Sequence, residues 1–393
     1  MYRKTYAQID GDQLRLNVCE IKKKYANYEY YFGVVKNNAY HHGIQVINDL
    51  IAGGINYLAV SSLEEALQAR KYNSLIPILC LEPVCFSSIP DCAVHNITIT
   101  IDSQEYLEEL IKDQYIDSLK VHLKIDSGMN RLGIKSTQEL DSVIHLINKT
   151  DKLFLEGIYS HFATSGVNDA FWDSQVEQFL KITKNIDLNK IPIKHFGRSL
   201  SLVQHPKLNF CNGTRLGIIL FGHSQSMLPD NSFKGKIKNY LNKKKQKKLS
   251  ISATTIENDL KIKTAMSLYS EVISLREVHA GEFVGYNANY IVKDSAYIAT
   301  IPIGYADGVT KNFKNVLING KKYPIVADTM DMIMVMVDNN IKLYDKVEIF
   351  GDEITIKEVC QNINTNAYHL YSQIQNRVIR VHKNKQKIEE IQY

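Results

Sequence analysis

At 393 residues, with 45% hydrophobic and 23% charged residues, the chain has the composition of an ordinary globular protein with room for two domains. That balance excludes a disordered or collagen-like chain, and no window is apolar for long enough to span a membrane. The formal net charge of +5 is partly concentrated in one lysine run, so it does not by itself describe a basic binding surface.

In chain order, residues 1–10 read as a strand, and DGDQL opens a helix with an acidic cap. MYRKTYAQIDGDQL lacks the apolar segment of a secretory leader. The six cysteines (Cys19, Cys80, Cys85, Cys92, Cys211, Cys360) form no CxxC pair, so mostly buried, reduced thiols in a cytoplasmic protein are expected. The stretch FGVVKNNAYHHG, Phe32 to Gly43, then breaks an apolar run at Lys36. Run and breaker predict a buried strand whose C-terminal end presents a lysine. A charged amine loses solvation there, its pKa falls, and the neutral form can condense with an aldehyde cofactor. A lysine that merely follows a strand onto the surface is the plain alternative.

Short apolar runs recur from there: YEYYFGVV, NYLAV, PILCL, NITITI, LKVHLKI, LFLEGIYS, IKHFG and RLGIILFG. Stretches with helical spacing separate them, among them Ser62–Lys71 and Gln104–Lys112. Strands alternating with helices predict an α/β fold, an N-terminal (β/α)8 barrel over residues 11–225. A doubly wound sheet is the competitor, but no GxGxxG follows the first strand. Barrel chemistry collects at the C-terminal strand ends, where Lys36, Lys124, Ser160, His161, Arg198 and Ser199 fall, while Arg215 with Gly217 begins the eighth run, and all are expected at one rim.

Residues 226–260 form a lysine-rich insertion or linker. KKKQKK would suit nucleic acid or anionic lipid, yet no aromatic residues interleave with the charge. A solvated loop is the plainer expectation, with neither nucleic acid nor membrane as partner. From residue 261 to 393 the texture changes to short strands such as AYIATIPIGY, MIMVMV and KVEIF. A mostly-β domain is expected there, with the strand of residues 1–10 packing on it.

VVKNNAYHHG resembles the pyridoxal-phosphate lysine motif of alanine racemases, with His41 where that family usually has glycine. The similarity runs through most of the chain: KIDSGMNRLG, GIYSHFATSG, IKHFGRSLS, CNGTRLGIILFG, ADTMDMIMV and NAYHLYSQIQNRVIRVH all align with family segments. Tyr286 of EFVGYNANY precedes Tyr305 of IPIGYADG by nineteen residues, as in the family.

The resemblance implies a homodimeric amino-acid racemase that uses pyridoxal 5'-phosphate, interconverts L- and D-alanine and feeds peptidoglycan synthesis. It implies no metal. Lys36 would be one catalytic base and Tyr286, reaching the other subunit's site, the second, because racemisation needs proton transfer on both faces of Cα. His161 and Arg215 would lower the Tyr286 pKa. The implied cofactor-binding residues are Lys36, Tyr40, Arg131, His161, Ser199, Arg215, Gly217, Ile218 and Tyr368. Arg131, Met330 and Tyr305 would bind substrate. Lys124 would carry a carbamate that orients Arg131, since two bare cations so close would repel. Arg215 would face the pyridine nitrogen without protonating it, which keeps the ring a weak electron sink and suppresses transamination.

Four further positions depart from the family: Arg198 for asparagine, Gly166 for aspartate, Lys311 for arginine, and an arginine missing just before Met330. The last three alter the polar corridor that leads to the pocket. A racemase of serine or of broader specificity, and a non-catalytic pyridoxal-phosphate barrel, stay open as alternatives.

Overall fold

The computed structural model describes residues 3–112, 118–164, 170–224, 259–384 and 387–391. Most of the lysine-rich stretch (225–258) and Gly166 lie outside them. The chain divides into two compact units, one of residues 15–39 and 44–262, the other of 1–14, 40–43 and 263–393.

The first unit is the expected barrel. Strands β2 (Tyr30–Val34), β3 (Tyr57–Val60), β4 (Ile78–Cys80), β5 (Ile97–Ile101), β6 (Leu119–Lys124), β7 (Leu153–Tyr159), β8 (Ile193–Gly197) and β9 (Gly213–Leu216) close into one parallel ring. Runs such as Tyr57–Val60 and Ile97–Ile101 are buried at every residue, because helices cover one side of each strand and barrel side chains the other. Two of the helices, Gln104–Ile111 and Thr137–Asn148, begin at a serine that caps them. Ser103 Oγ accepts from Tyr106 N (3.1 Å), and Ser136 Oγ accepts from Glu139 N (3.2 Å).

The second unit is the expected β-rich one. Strand β1 (Tyr6–Asp10) lies between an antiparallel neighbour, Met266–Glu271, and a parallel one, Ile379–Asn384, inside a ten-stranded sheet. Strands such as Asn315–Ile318 and Ile333–Val337 alternate buried and partly exposed residues, the period-2 pattern of a sheet with one covered face. Tyr40–Gly43 groups with this unit instead of the barrel, although an unbroken 11–225 barrel segment is expected from the sequence. The cause is a buried arginine: Arg380 Nε donates to His41 O (2.9 Å), and His41 Nδ1–H donates to Ile374 O (2.8 Å).

Candidate active site

Strand β2 stops at Val34, and Lys36, half-buried, stands two residues beyond it. The backbone then turns left-handed: Asn37, Asn38, Ala39, Tyr40 and His41 all have φ between 51° and 62°. Asparagine tolerates this conformation, whereas each ordinary residue in it costs about 1–2 kcal/mol. His41, where glycine would be the cheaper residue, is held by its bonds to Ile374 and Arg380. At the other end Glu65 Oε1 accepts from Asn37 N (2.5 Å), and Ala39 N donates to Val35 O (2.8 Å). Strain of this kind, fixed from both sides, is characteristic of functional segments.

Lys124 ends β6 and is only 5% exposed. Its Nζ sits 4.6 Å above the Tyr159 ring. Burial first, then the nearby Arg215 and Arg131, hold its pKa well below the usual lysine range, with Asp126 opposing. The following loop is pinned by Asp126, whose Oδ1 accepts from Gly128 N and Asn130 N (both 3.0 Å). Gly133 closes the loop at φ 123°, and a Cβ there would meet Asp126 N at 2.7 Å. Arg131 is exposed at the tip of this loop.

Arg215, on β9, is buried, and its neighbour in the sheet is Phe32 of the strand that leads to Lys36. Nη1 donates to His195 Nδ1 (2.5 Å) and His195 O (3.1 Å). Nη2 donates to Ser160 O (2.7 Å), His161 Nδ1 (3.1 Å) and Phe196 O (3.2 Å). Burial lowers its pKa to about 10, which still leaves the guanidinium charged at neutral pH. His161 is held neutral by desolvation and by Arg215, Lys124, Arg198 and Arg131 around it. Tyr159 completes the group: its hydroxyl meets Thr100 Oγ1 (2.9 Å), and burial pushes its pKa up to about 12.

Ser199 opens the helix after β8, and its Oγ accepts from Gly217 N (2.8 Å). Ile218, fully buried, starts the turn after β9. Ser199, Gly217 and Ile218 thus lie on adjoining segments after neighbouring strands, the usual phosphate-binding place of such barrels.

The remaining expected site residues, Tyr40, Tyr286, Tyr305, Met330 and Tyr368, belong to the β-rich unit. The Tyr40 and Tyr368 rings lie 5.9 Å apart. Tyr305 N donates to Thr329 O (3.1 Å) and Ala306 N to Met330 O (2.9 Å), which ties the Tyr305 and Met330 loops together. Tyr286, at the turn Tyr286–Ala288, is 71% exposed. Lys311 is exposed, and its amide donates to Asp328 Oδ2 (3.2 Å). Sequence reasoning passed over Tyr159, His122 and Glu156. Their one available signal was a polar residue inside the apolar runs LKVHLK and LFLEGIY.

Residues 9–225 match the family described as alanine racemase, N-terminal domain, and residues 265–382 match alanine racemase, C-terminal domain. An alanine racemase of Anoxybacillus flavithermus is 32% identical, over 99% of this chain and 97% of that protein. A solved alanine racemase of Clostridium difficile superposes with TM-score 0.85 at 32% identity, over 99% of this chain and 98% of that one. A histidine racemase of Leuconostoc mesenteroides superposes with TM-score 0.84 at 25% identity, over 98% of this chain and 99% of that one.

Proposed function

This chain belongs to the alanine racemase family and is an amino-acid racemase, and from that premise we propose that it interconverts L- and D-alanine with pyridoxal 5'-phosphate. The two bases are Lys36 and Tyr286 of the partner subunit in a homodimer. The observation that carries this reading is Arg215. A buried, donor-only guanidinium fixed by two histidines and three carbonyls, on the strand beside the one that leads to Lys36, suits a ring nitrogen that must stay unprotonated.

Pyridoxal phosphate fits the donor set. Ser199 and the amides of Gly217 and Ile218 would hold its phosphate with Tyr40 and Tyr368, Arg131 and His161 would flank its ring, and Lys36 would meet its aldehyde. The concentration of cations near the strand ends (Lys124, Arg131, Arg198, Arg215) suits that anionic group and a substrate carboxylate. When bound, the cofactor supplies an electron sink that acidifies the substrate Cα–H.

Everything else falls to this chain's residues. Lys36 Nζ takes or returns the Cα proton on one face, and the Tyr286 hydroxyl does so on the other. Arg131 and Met330 N–H orient the carboxylate, with Tyr305 beside them. The amine of Lys124, whose pKa is lowered by burial and by Arg215 and Arg131, can in its neutral form take up carbon dioxide, forming an N–C bond and releasing a proton. The resulting anion would steady Arg131. Arg215 keeps its protons and gives none to the ring. The D-alanine product would serve cell-wall synthesis in the cytoplasm.

The test is α-proton exchange and loss of chirality for L-alanine, L-serine and L-lysine in D2O. Lys36→Ala and Tyr286→Phe are each expected to lower alanine racemisation by roughly 10^2–10^4-fold, the span of a positioned acid–base group. Full activity in both variants would sink the two-base assignment. A second reading, broader specificity, is favoured by the altered corridor residue Lys311 and by the histidine racemase of the same fold. Serine or lysine exchanging as fast as alanine would select it.

A further inference from the structure

The barrel breaks its strand register in two places, and both breaks lie beside linked side chains. Between β6 and β7, Val121 pairs with Leu155 and His122 with Gly157, so Glu156 is an extra, bulged residue. Between β8 and β9 the pairing shifts from His195 to Gly197 and passes over Phe196. Bulges re-aim side chains at the cost of local pairing. Here they accompany a buried chain of contacts: Arg215 Nη1 to His195 Nδ1 (2.5 Å), His195 Nε2 to His122 Nδ1 (2.9 Å), and His122 Nε2 to Glu156 Oε2 (3.2 Å).

The two ends dictate where every proton in this chain sits. Arginine only donates, so His195 Nδ1 accepts and its proton is on Nε2. That proton goes to His122 Nδ1, which leaves the His122 proton on Nε2, aimed at the carboxylate. An ionised carboxylate only accepts. Burial works against ionisation of Glu156, but hydrogen bonds from His122, Tyr57 (2.6 Å) and Lys120 (3.0 Å) outweigh it and bring its pKa to about 2.

The rings are also fixed sterically. His195 is stacked between Phe32 and Tyr159, at 4.5 and 4.7 Å. His122 fills a place that only a glycine leaves: a Cβ on Gly157 would meet its Cε1 at 2.5 Å.

We propose that Glu156 and His122 are positioning residues for Arg215, the carboxylate and the guanidinium together locking both imidazoles in one tautomer and the guanidinium in one orientation. The same guanidinium donates to His161 Nδ1, so the His161 proton is directed to Nε2 as well. This deepens the racemase reading, resting on it only for the use that is made of Arg215.

The experiment is 15N NMR of the imidazoles in the full-length, cofactor-loaded enzyme, together with hydrogen exchange of the Arg215 guanidinium. In the wild type His122, His161 and His195 are each expected to carry the proton on Nε2. In Glu156→Gln the amide can turn either atom to His122. His122 and His195 then populate both tautomers, and Arg215 protons exchange at least tenfold faster. Racemisation kcat falls about tenfold, with KM for alanine within twofold.

Lys120→Met removes only the outer partner of Glu156, and lowers thermal stability without moving the tautomers. Should Glu156→Gln not fold, His122→Phe keeps a ring beside Gly157 while cutting the chain, and is expected to show the same faster exchange and lower kcat. A wild-type proton on Nδ1 of His122 or His195 overturns the proposal. So do unchanged Arg215 exchange and kcat in the folded variants. If no amino acid is racemised while the tautomers and the exchange behave as stated, the racemase reading fails and the positioning chain stands.

Discussion

The barrel interior and the ten-stranded sheet fill their buried space in opposite ways. The covered face of the sheet is aliphatic: Val316, Ile318, Ile333, Val335, Val347 and Ile349 are all 0% exposed. The barrel instead buries His122, His195, Arg215 and Glu156, joined by hydrogen bonds. An aliphatic face needs only volume and shape to be right. A buried polar chain needs every proton in place, since a half-satisfied network is worse than none. The sheet therefore supplies stability that is indifferent to chemistry, and the barrel holds an arrangement that chemistry can use.

The strongest way to break this contrast is to damage the sheet and look for a functional effect. Ile349→Ala removes a fully buried side chain and is expected to cost about 2–5 kcal/mol, read as a lower urea midpoint. Its kcat per folded molecule should stay as in the wild type. A large fall in kcat would mean that the sheet core does more than stabilise.

Acid should act in the barrel through its buried histidines, His122 and His195 among them. Desolvation lowers the folded pKa of both His122 and His195. Glu156 opposes this at His122, while Arg215 reinforces it at His195. The unfolded chain, whose histidines titrate near 6.5, therefore takes up protons first as the pH falls. Stability from these groups is fully present above about pH 6.5 and is lost below it, by up to about 1.4 kcal/mol per histidine per pH unit. Urea unfolding at pH 7.5, 6.5 and 5.5 measures this slope. His122→Phe should flatten it by one histidine's share, and an unchanged slope in that variant would show that the buried imidazole is not its source.

The contrast also explains what could be read from the sequence. Apolar runs mark both kinds of strand, because burial selects the same side chains in each, so the barrel and the β-rich unit were legible. Lys36, Lys124 and His161 were legible as residues at strand ends; Arg215 was expected to begin the eighth strand, but that strand is Gly213–Leu216 and the run turns from Ile218, so Arg215 lies near its end. The left-handed turn from Asn37 to His41 was not, since it is held by Arg380, 339 residues away from His41. Nor was the role of Glu156. A one-residue bulge turns it inward, and strict alternation along LFLEGIY cannot show a register break against the neighbouring strand. Pairing between distant segments, which local pattern does not encode, decides both.

The mildest expected effect lies on the outside of the barrel, at the cap of the helix Thr137–Asn148. Ser136 has extended backbone, and its Oγ accepts from Glu139 N, while Glu139 Oε2 accepts from Lys135 N (3.3 Å). Ser136→Ala deletes one acceptor near solvent, where water can replace it, so the cost should be about 1 kcal/mol with kcat unchanged. Ser136→Asp, which keeps an acceptor and adds a negative charge at the helix N-terminus, should restore the loss. One hydrogen-bonding group is altered here, as in Glu156→Gln, yet the consequences should differ in kind: at the cap only the unfolding midpoint moves, and in the barrel the proton positions move with it. A Ser136→Ala enzyme with tenfold lower kcat would erase that distinction, because a peripheral cap would then be as tightly coupled to Arg215 as Glu156 is.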